Sequence, residues 1–430
     1  MKPAFHPDNI PGPGNILREK LGNGITVLLR QNPDSRTAVF NASIPCGAYL
    51  DPMDKTGLAA FTAATLNTGT LTHDFNQLNE ILEENGASLG LGCGPRAYTI
   101  HGACLAEDLG MLLDLLKEML DEPAFSPHHI EIHRSRLLSA LELHNHDPES
   151  RADERLDAIL FSTHPYGRPE LGTVDEINAI TREDLLTFHR NYIGPRDMIL
   201  TISGGLSAEK MLEVCQEKLG TWQKSQQPVR IADYFPEVPA PQHAVTEHIE
   251  IPEKSEITLL IGSLGPRHNS PDFLPAVLGN SILGEFGMMG RIGNAVRQES
   301  GLAYSAESTL TSLTYGGCWQ AEAGTNPANV EKCADLIMRE LKRFTSEKVS
   351  RQELEDVKSF YLGSLPLTLE SNNGIAGVML SMESYQLGLD HLLRLNERVN
   401  AVTAEDVMRT AQKWLDPEKL IRITAGTAAK

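Results

Sequence analysis

Apolar residues recur at the spacing of an α-helix in two separate parts of the chain. Both series follow the order i, i+3, i+4, i+7, so each predicts a helix with one buried face. The two series are Leu109, Leu112, Leu113, Leu116 and Leu120 in the first half, and Val330, Cys333, Ala334, Ile337 and Leu341 in the second. The next helix is predicted to begin near Ser126 in the first half and near Ser350 in the second.

Short apolar runs next to turn residues predict strands at the start of each half. Residues 25–29 follow an Asn-Gly turn, and residues 37–44 are predicted to pair with them. Residues 249–251 and 256–261 are the counterparts in the second half. Strands followed by several helices and a closing strand favour an α+β fold with antiparallel sheets.

A repeat relates the two halves of the chain. The segment NAITRED at 178–184 reappears as NAVTAED at 400–406, an offset of 222 residues (400 minus 178). Without a gap, Pro195 then falls on Pro417 and Gly204 on Gly426. Each copy predicts a helix with a threonine N-cap, a turn at proline and a strand. A match on this scale indicates duplication of a whole domain rather than a short repeat.

The duplication and a proline-rich stretch set the predicted domain boundaries. Residues 223–243 include Pro228, Pro236, Pro239 and Pro241 and are predicted to form an extended linker. Residues 1–222 then form the N-terminal domain, and residues 244–430 form the C-terminal domain.

Composition narrows the class of protein. The net charge of −19 argues against nucleic acid and anionic membranes as partners. An acidic surface suits basic peptide ligands, and simple solubility explains it equally well. The sequence given has neither an apolar run of about 18 residues nor the apolar core of a signal peptide. Six scattered cysteines predict reduced thiols in a cytoplasm, or a periplasmic or organellar location if a targeting segment has been removed.

The stretch from Gly57 to Thr70, GLAAFTAATLNTGT, resembles the zinc-binding helix of the pitrilysin and mitochondrial-processing-peptidase family, the insulinase-like inverzincins. Members of this family carry H-x-x-E-H, commonly within G-L-A-H-F-L-E-H-x-x-x-x-G-T. The frame of this motif is present in the chain. However, Ala60 and Ala64 occupy the two histidine positions, and Ala63 occupies the glutamate position.

The position of the family's third zinc ligand also lacks a ligating side chain. That ligand is a glutamate on a later helix, and counting back from Asp147 places it near Ser139 and Ala140. Glu142 is two residues away, and a helix turns it by about 200°. Alanine has no lone pair with which to bind zinc and no acidic proton. The sequence therefore predicts that this chain holds no metal and no other cofactor.

Residues 291–305 resemble the family motif S-R-L-x-x-x-L-R-x-x-x-G-L-A-Y-S. The family uses its second arginine and its tyrosine to contact the substrate backbone and the oxyanion, and these positions are Arg297 and Tyr304 here. Both side chains donate hydrogen bonds, which suits a carbonyl oxygen that becomes negative. Arg297 is predicted to end a helix and Tyr304 to begin a strand beyond Gly301. Without the family motif, the two would be interpreted as a solvated helix residue and a half-buried strand aromatic.

A glycine-interrupted segment precedes that motif. Gly284, Gly287 and Gly290 resemble the glycine-rich loop that non-catalytic processing-peptidase subunits present to substrate. The alternative is a tight turn before a helix. No Gly-Lys-Ser/Thr follows, so the segment is not a phosphate loop.

His129 and His133 have the i, i+4 spacing of a metal site. Glu131 between them faces away, and no third ligand is apparent. A surface helix is therefore the preferred interpretation, although metal at His129 and His133 is not decided by the sequence.

The resemblance implies two αβ-roll domains in a clamshell-like molecule and a heterodimer that cleaves unfolded peptides. The partner would be a homologue with H-x-x-E-H and its zinc, and this chain would contribute Arg297 and Tyr304 as a non-catalytic subunit. The alternative is a structural or peptide-binding protein, such as a homodimer or a core-subunit-like protein, without a proteolytic role. A third hypothesis is an enzyme with a relocated metal site around His129, His133 or Glu142.

Overall fold

The structure is a computed structural model that describes residues 10–225 and 234–428. These residues form two compact units, and each unit contains segments from both halves of the sequence. Of the described residues, unit 1 combines those up to Leu141 with those of Pro169–Tyr234 and Leu365–Arg394. Unit 2 combines the described residues of Glu142–Arg168, Phe235–Ser364 and Leu395–Lys430. The division by packing thus differs from the chain-order domains 1–222 and 244–430, which stay a prediction. Residues 226–233 of the predicted linker lie outside the described residues.

Unit 1 contains a sheet with the strand order β1-β2-β6-β3-β5-β4. The strands are β1 (Leu17–Lys20), β2 (Thr26–Gln31), β3 (Thr37–Ile44), β4 (Ser88–Cys93), β5 (Tyr98–Leu105) and β6 (Ile199–Gly204). The predicted pairing of β3 with β2 is wrong, because β6 lies between them, parallel to β2 and antiparallel to β3. The strand β6 is buried along nearly all its length. A central position with two paired edges suits such a strand.

Unit 2 contains the second sheet, in the order β7-β11-β8-β10-β9. Its strands are β7 (Val245–Glu250), β8 (Ile257–Leu264), β9 (Ala303–Ser312), β10 (Gly317–Thr325) and β11 (Ile421–Gly426). The closing strand β11 again enters the sheet, parallel to β7 and antiparallel to β8. Both sheets are therefore mostly antiparallel with one parallel pair each. This arrangement confirms the predicted α+β fold.

Helices cover both sheets. They are α1 (Leu58–Leu66), α2 (Phe75–Glu84), α3 (Leu109–Asp121), α4 (Pro127–His146), α5 (Pro148–Leu160), α6 (Val174–Ala179), α7 (Arg182–Tyr192), α8 (Ala208–Lys218), α9 (Phe273–Asn280), α10 (Arg291–Gly293), α11 (Val330–Ser346), α12 (Arg351–Leu369), α13 (Asn372–Ser384), α14 (His391–Ala401) and α15 (Ala404–Trp414). The two predicted apolar stripes are the buried faces of α3 and α11. Thr181 and Thr403 cap α7 and α15 as predicted.

None of the helices within residues 10–225 and 234–428 combines the length and the apolar composition that a membrane crossing needs. All six cysteines fall within these ranges, and each is a free thiol.

Each sheet is covered on one face by a helix from the other half of the sequence. In unit 1, α13 packs on β3 and β6. The Asn372 amide donates to Ser35 Oγ at 2.8 Å, and its Oδ1 accepts from Ser203 Oγ at 3.1 Å. In unit 2, α5 packs on β8 and β11, and a Cβ on Gly262 would lie 2.8 Å from Leu156.

The contact between α5 and the second sheet brings carboxyl groups together. Glu322 on β10 pairs across the ladder with Glu307 on β9, and Glu149 and Asp153 lie on α5. Burial first, and then the negative charges of Glu149, Asp153, Glu307 and Asp147, raise the pKa of Glu322 to about 8. Glu322 is therefore mostly protonated at neutral pH, which limits repulsion beneath α5.

The raised pKa of Glu322 predicts that the folded protein loses stability as the pH rises. The folded state keeps a proton on Glu322 that the unfolded state releases near the ordinary pKa of 4.5. The stabilising contribution of this proton is therefore fully present below that value and is lost as the pH rises past about 8. Glu322→Gln should remove this slope and stabilise the protein at pH 8.5 by on the order of 2 kcal/mol, a value reduced for partial solvent exposure.

Urea unfolding of the wild type and Glu322→Gln between pH 5 and pH 8.5 measures this difference. The control is Glu83→Gln, which changes an exposed carboxylate on α2 of unit 1. Equal pH dependence for the wild type and Glu322→Gln would contradict the prediction.

Candidate functional site

The helix that carries the degenerate zinc motif is held by a carboxylate that precedes it. The side chain of Asp51 accepts hydrogen bonds from the backbone N–H groups of Gly57 and Ala59, both at 2.8 Å. Gly57 has φ 87°, and a Cβ on it would lie 2.6 Å from the Leu171 carbonyl oxygen. Tyr98 of β5 donates its hydroxyl to the Ala59 carbonyl at 2.6 Å. These contacts fix α1 against the sheet of unit 1.

Alanines occupy the positions that would hold zinc. Ala60 and Ala64 are partly exposed, and Ala63 is buried. Ala140, at the register of the third ligand, is exposed on α4. Within the described residues, 10–225 and 234–428, no group of three or more His, Cys, Asp or Glu side chains has the arrangement of a metal site. The methyl groups supply no ligand atom, so the residues of this motif do not fit zinc.

Helix α4 is attached next to the same motif by Arg134. Its guanidinium carbon lies 5.2 Å from the centroid of the Phe61 ring. Its Nη2 donates to the Ile180 carbonyl at 2.8 Å. A cation on the aromatic face and a backbone bond together stabilise this contact. Arg134 is thus a structural residue beside the degenerate zinc motif.

The histidines on α4 have contacts that account for them without a metal. The His129 ring lies 5.3 Å from the Phe75 ring. Burial, together with the charge of Arg136, lowers the pKa of His133. Glu131 bonds Arg134 and so does not join the histidines. Glu142 is exposed near the end of α4. These contacts favour the predicted surface helix.

The glycine-interrupted segment is a series of tight turns in unit 2. Residues 281–285 form a π-helical turn and residues 287–289 form a 3₁₀ turn. A Cβ on Gly284 would lie 2.7 Å from the backbone nitrogen of Ser308, and one on Gly290 would lie 2.5 Å from Gly284. Gly287 has φ 55° and open space around it. The outer glycines thus permit close packing, and Gly287 permits a left-handed turn.

Polar side chains attach this segment to the strands beneath it. Asn280 Oδ1 accepts from Trp319 Nε1 at 2.9 Å and from Ser308 Oγ at 2.8 Å. Asn280 is the last residue of α9, directly before the π-helical turn. The turn is therefore anchored to β9 and β10 at its beginning.

Arg291 anchors the end of the segment. Sequence reasoning did not single out this residue. Its guanidinium donates to both oxygens of Glu353 on α12, at 2.8 and 2.9 Å. Burial would raise the pKa of Glu353, but the hydrogen bonds from Arg291 and Ser350 outweigh it and lower the pKa to about 2. The pair is only partly accessible to solvent. The available signal was the place of Arg291 as the first arginine of the motif at 291–305.

Arg297 and Tyr304 lie on either side of one tight junction. Residues 294–298 form a second π-helical turn, and β9 begins at Ala303. Between them, Gly301 has φ 62°, and its N–H donates to the Arg297 carbonyl at 3.1 Å. The predicted order of helix, glycine and strand is confirmed. The helical part ends in a π-helical turn directly before the glycine. Single π turns occur frequently at functional sites.

Both side chains of this pair are exposed. Tyr304 has 68% of its surface accessible, and Arg297 is also exposed. The described part of the chain contains no hydrogen-bond or ion-pair partner for either side chain. Their donor groups are consequently available to a ligand.

Two protein-family models match the chain. The one described as insulinase (peptidase family M16) matches residues 26–174, and the one described as peptidase M16 inactive domain matches residues 179–361. Together they span most of the sequence, and the second model begins within the first half and continues into the second. The chain belongs to the peptidase M16, or insulinase, family.

Curated relatives match along nearly the whole length. The mitochondrial-processing peptidase subunit beta of Saccharomyces cerevisiae is 25% identical, with 98% of this chain and 92% of that protein covered. An uncharacterized zinc protease of Mycobacterium leprae is 23% identical, with 93% and 89% covered. A solved structure, described as a peptidase M16 inactive domain from Pseudomonas fluorescens, has a TM-score of 0.89 at 24% identity, with 96% and 98% covered. This last likeness establishes the fold.

The packing around the glycines predicts unequal costs of substitution. Gly284→Ala should destabilise the protein by about 1–3 kcal/mol, because the new methyl group meets the backbone of β9. Gly287→Ala should cost about 1 kcal/mol, because its left-handed φ disfavours a side chain although space is available. Thermal unfolding of the full chain measures both.

Gly363→Ala is the matched control, since a Cβ at this position in α12 meets nothing within 4 Å. Alanine should leave stability unchanged or raise it there. A Gly284→Ala protein as stable as Gly363→Ala would contradict the close packing of the segment.

Proposed function

We propose that this chain is the non-catalytic, substrate-binding subunit of a heterodimeric zinc metallopeptidase that cleaves unfolded peptides. The observation that supports this most is the contrast between its two motifs. The zinc-helix positions hold Ala60, Ala63 and Ala64, whereas Arg297 and Tyr304 are exposed and their donors have no partner among the described residues. A partner homologue with H-x-x-E-H would hold the zinc, which supplies the water-activating and Lewis-acid chemistry of peptide hydrolysis when bound.

The proposed task of this chain is to bind and orient the peptide carbonyl. Peptide hydrolysis places negative charge on the oxygen of the attacked carbonyl. The Arg297 guanidinium and the Tyr304 hydroxyl both donate hydrogen bonds, so they would stabilise that charge as it develops. Because this interaction is stronger in the transition state than in the substrate, it would raise the rate rather than only the affinity.

The junction between the two residues suits this task. The N–H of Gly301 bonds the Arg297 carbonyl, and the N–H of Leu302 bonds the Val296 carbonyl, both at 3.1 Å. These bonds fix the backbone between the two donors before a peptide arrives. Donors that are already in place cost little reorganisation during the reaction.

The name of one relative supports a subunit role. One relative is named as a subunit of a processing peptidase. Under the proposal, neither this chain nor its partner alone reaches the rate of the pair. The partner brings the zinc, and this chain brings the donor pair.

The proposal is tested with the full chain and a homologue from the same organism that carries H-x-x-E-H. Cleavage of an unfolded, fluorogenic peptide should require both proteins. Arg297→Ala should lower kcat/KM by about 100-fold or more, and Tyr304→Phe should also lower it, because each loses a donor to the oxyanion. The kcat/KM of Arg297→Lys should lie between those of the wild type and Arg297→Ala, since an ammonium is a point charge without the guanidinium fork.

Thr309→Ala serves as the control, because it removes another exposed side chain from β9 without touching the donor pair. Sedimentation of the mixture checks that each variant still assembles. The proposal fails if the homologue alone cleaves as fast as the mixture, or if Arg297→Ala assembles and cleaves normally.

A further inference from the structure

A cleft of about 490 Å³ opens in unit 2 beside the turn that carries Arg297. Its volume falls within the range of about 300–1,000 Å³ typical of small-ligand pockets. Its walls come from the glycine-interrupted segment, from the start of the Arg297 turn and from α12. The lining includes Ile282, Phe286, Met289, Asn294, Val357 and Phe360.

The walls of the cleft are largely apolar and partly open to solvent. Met289 has 88% of its surface accessible and Phe360 has 56%. The Phe286 and Phe360 rings meet edge to face, with their centroids 4.6 Å apart. Exposed aromatic and methionine side chains that share one concave surface are characteristic of binding sites.

The charged side chains in the cleft have partners in unit 2, although the buried Nη1 of Arg291 has no hydrogen-bond partner among the described residues. Arg291 bonds Glu353 through two nitrogens, and its guanidinium carbon lies 5.7 Å from the Phe344 ring centroid. Asp356 accepts a hydrogen bond from Gln352 at 2.8 Å. An ionic ligand would have to compete with these contacts, whereas an apolar group would cover the exposed ring and thioether.

The position of the cleft connects it to the donor pair. Asn294 lines the cleft and also begins the π-helical turn on which Arg297 lies three residues later. The cleft and Arg297 thus adjoin the same five-residue turn. A peptide whose carbonyl reaches Arg297 would therefore pass next to the cleft, with a neighbouring side chain directed toward it.

We infer that this cleft receives an apolar or aromatic side chain of the extended peptide that Arg297 and Tyr304 contact. The inference rests on the function proposed above and adds a preference for peptides with an apolar or aromatic side chain. Phe286 and Phe360 form the aromatic wall, and Met289 covers the side chain from the outer edge. The Arg291–Glu353 pair holds the floor of the cleft in place. Because the two side chains bond each other, they are poor partners for a charged substrate side chain.

Binding of two labelled peptides to the full chain tests the inference. Both are short, uncharged peptides of Ala, Gly and Ser, one with a central Phe and the other with Ser at that place. The wild type should bind the Phe peptide about tenfold more tightly, which corresponds to burial of one large apolar side chain. Phe360→Ala should remove most of this difference without weakening the Ser peptide, and Phe360→Leu should restore part of it.

Two further variants separate the inference from the proposed function. Leu143→Ala is the matched control, because Leu143 is 74% exposed in unit 2 and does not line the cleft. Arg297→Ala should weaken both peptides equally. If Arg297→Ala does so but Phe360→Ala leaves the preference for Phe intact, the cleft inference is overturned and the proposed function stands.

The remaining outcomes also decide the question. If the wild type binds neither peptide, or Arg297→Ala leaves binding of both unchanged, the proposed function and the inference fall together. If Phe360→Ala alters sedimentation of the chain instead of peptide preference, the cleft is an interface with a second copy, and the inference is overturned.

Discussion

The fold depends on the burial of the second face of each sheet by a helix from the other half of the sequence. A sheet in a compact protein must cover its apolar face. In unit 1 that cover is α13, attached through Asn372 to Ser35 and Ser203. In unit 2 it is α5, with Leu156 against Gly262. Neither half of the sequence therefore contains all of the residues that its own sheet needs, so duplicated halves do not become independent folding units.

This exchange also explains which features the sequence could predict. The helices at Leu109 and Val330 and the caps at Thr181 and Thr403 follow from neighbours a few residues apart, and all are confirmed. The insertion of β6 beside β3 depends on residues more than 150 positions away in sequence, as the pairing of Ala38 with Gly204 illustrates. The Asp51 cap of α1 was missed because it does not follow the usual sequence pattern of a helix cap. Its carboxylate precedes the N–H of Gly57 by six residues, outside the usual capping position.

The donor pair was found from its motif, but the anchors around it were not. Asn280 connects the start of the glycine-interrupted segment to Trp319 and Ser308. Arg291 connects its end to Glu353, a residue 62 positions away in the chain. Both are polar groups within an apolar neighbourhood, where a missing partner is costly. Together they hold both ends of the segment that precedes Arg297, and a firmly held site suits residues that must be positioned before substrate binds.

The two family motifs in this chain persist for different physical reasons. The frame around the absent zinc ligands has structural causes: Gly57 packs against Leu171, Phe61 is buried, and Asp51 holds the helix end. Its survival therefore says nothing about catalysis. No such cause accounts for Arg297 and Tyr304, which are exposed and have no side-chain partner in the described parts of the chain. Side chains without a structural role of this kind keep their hydrogen-bond donors available to a ligand. The two motifs therefore differ in chemical capacity: the alanines of the first cannot ligate zinc, whereas the arginine and tyrosine of the second can still donate hydrogen bonds.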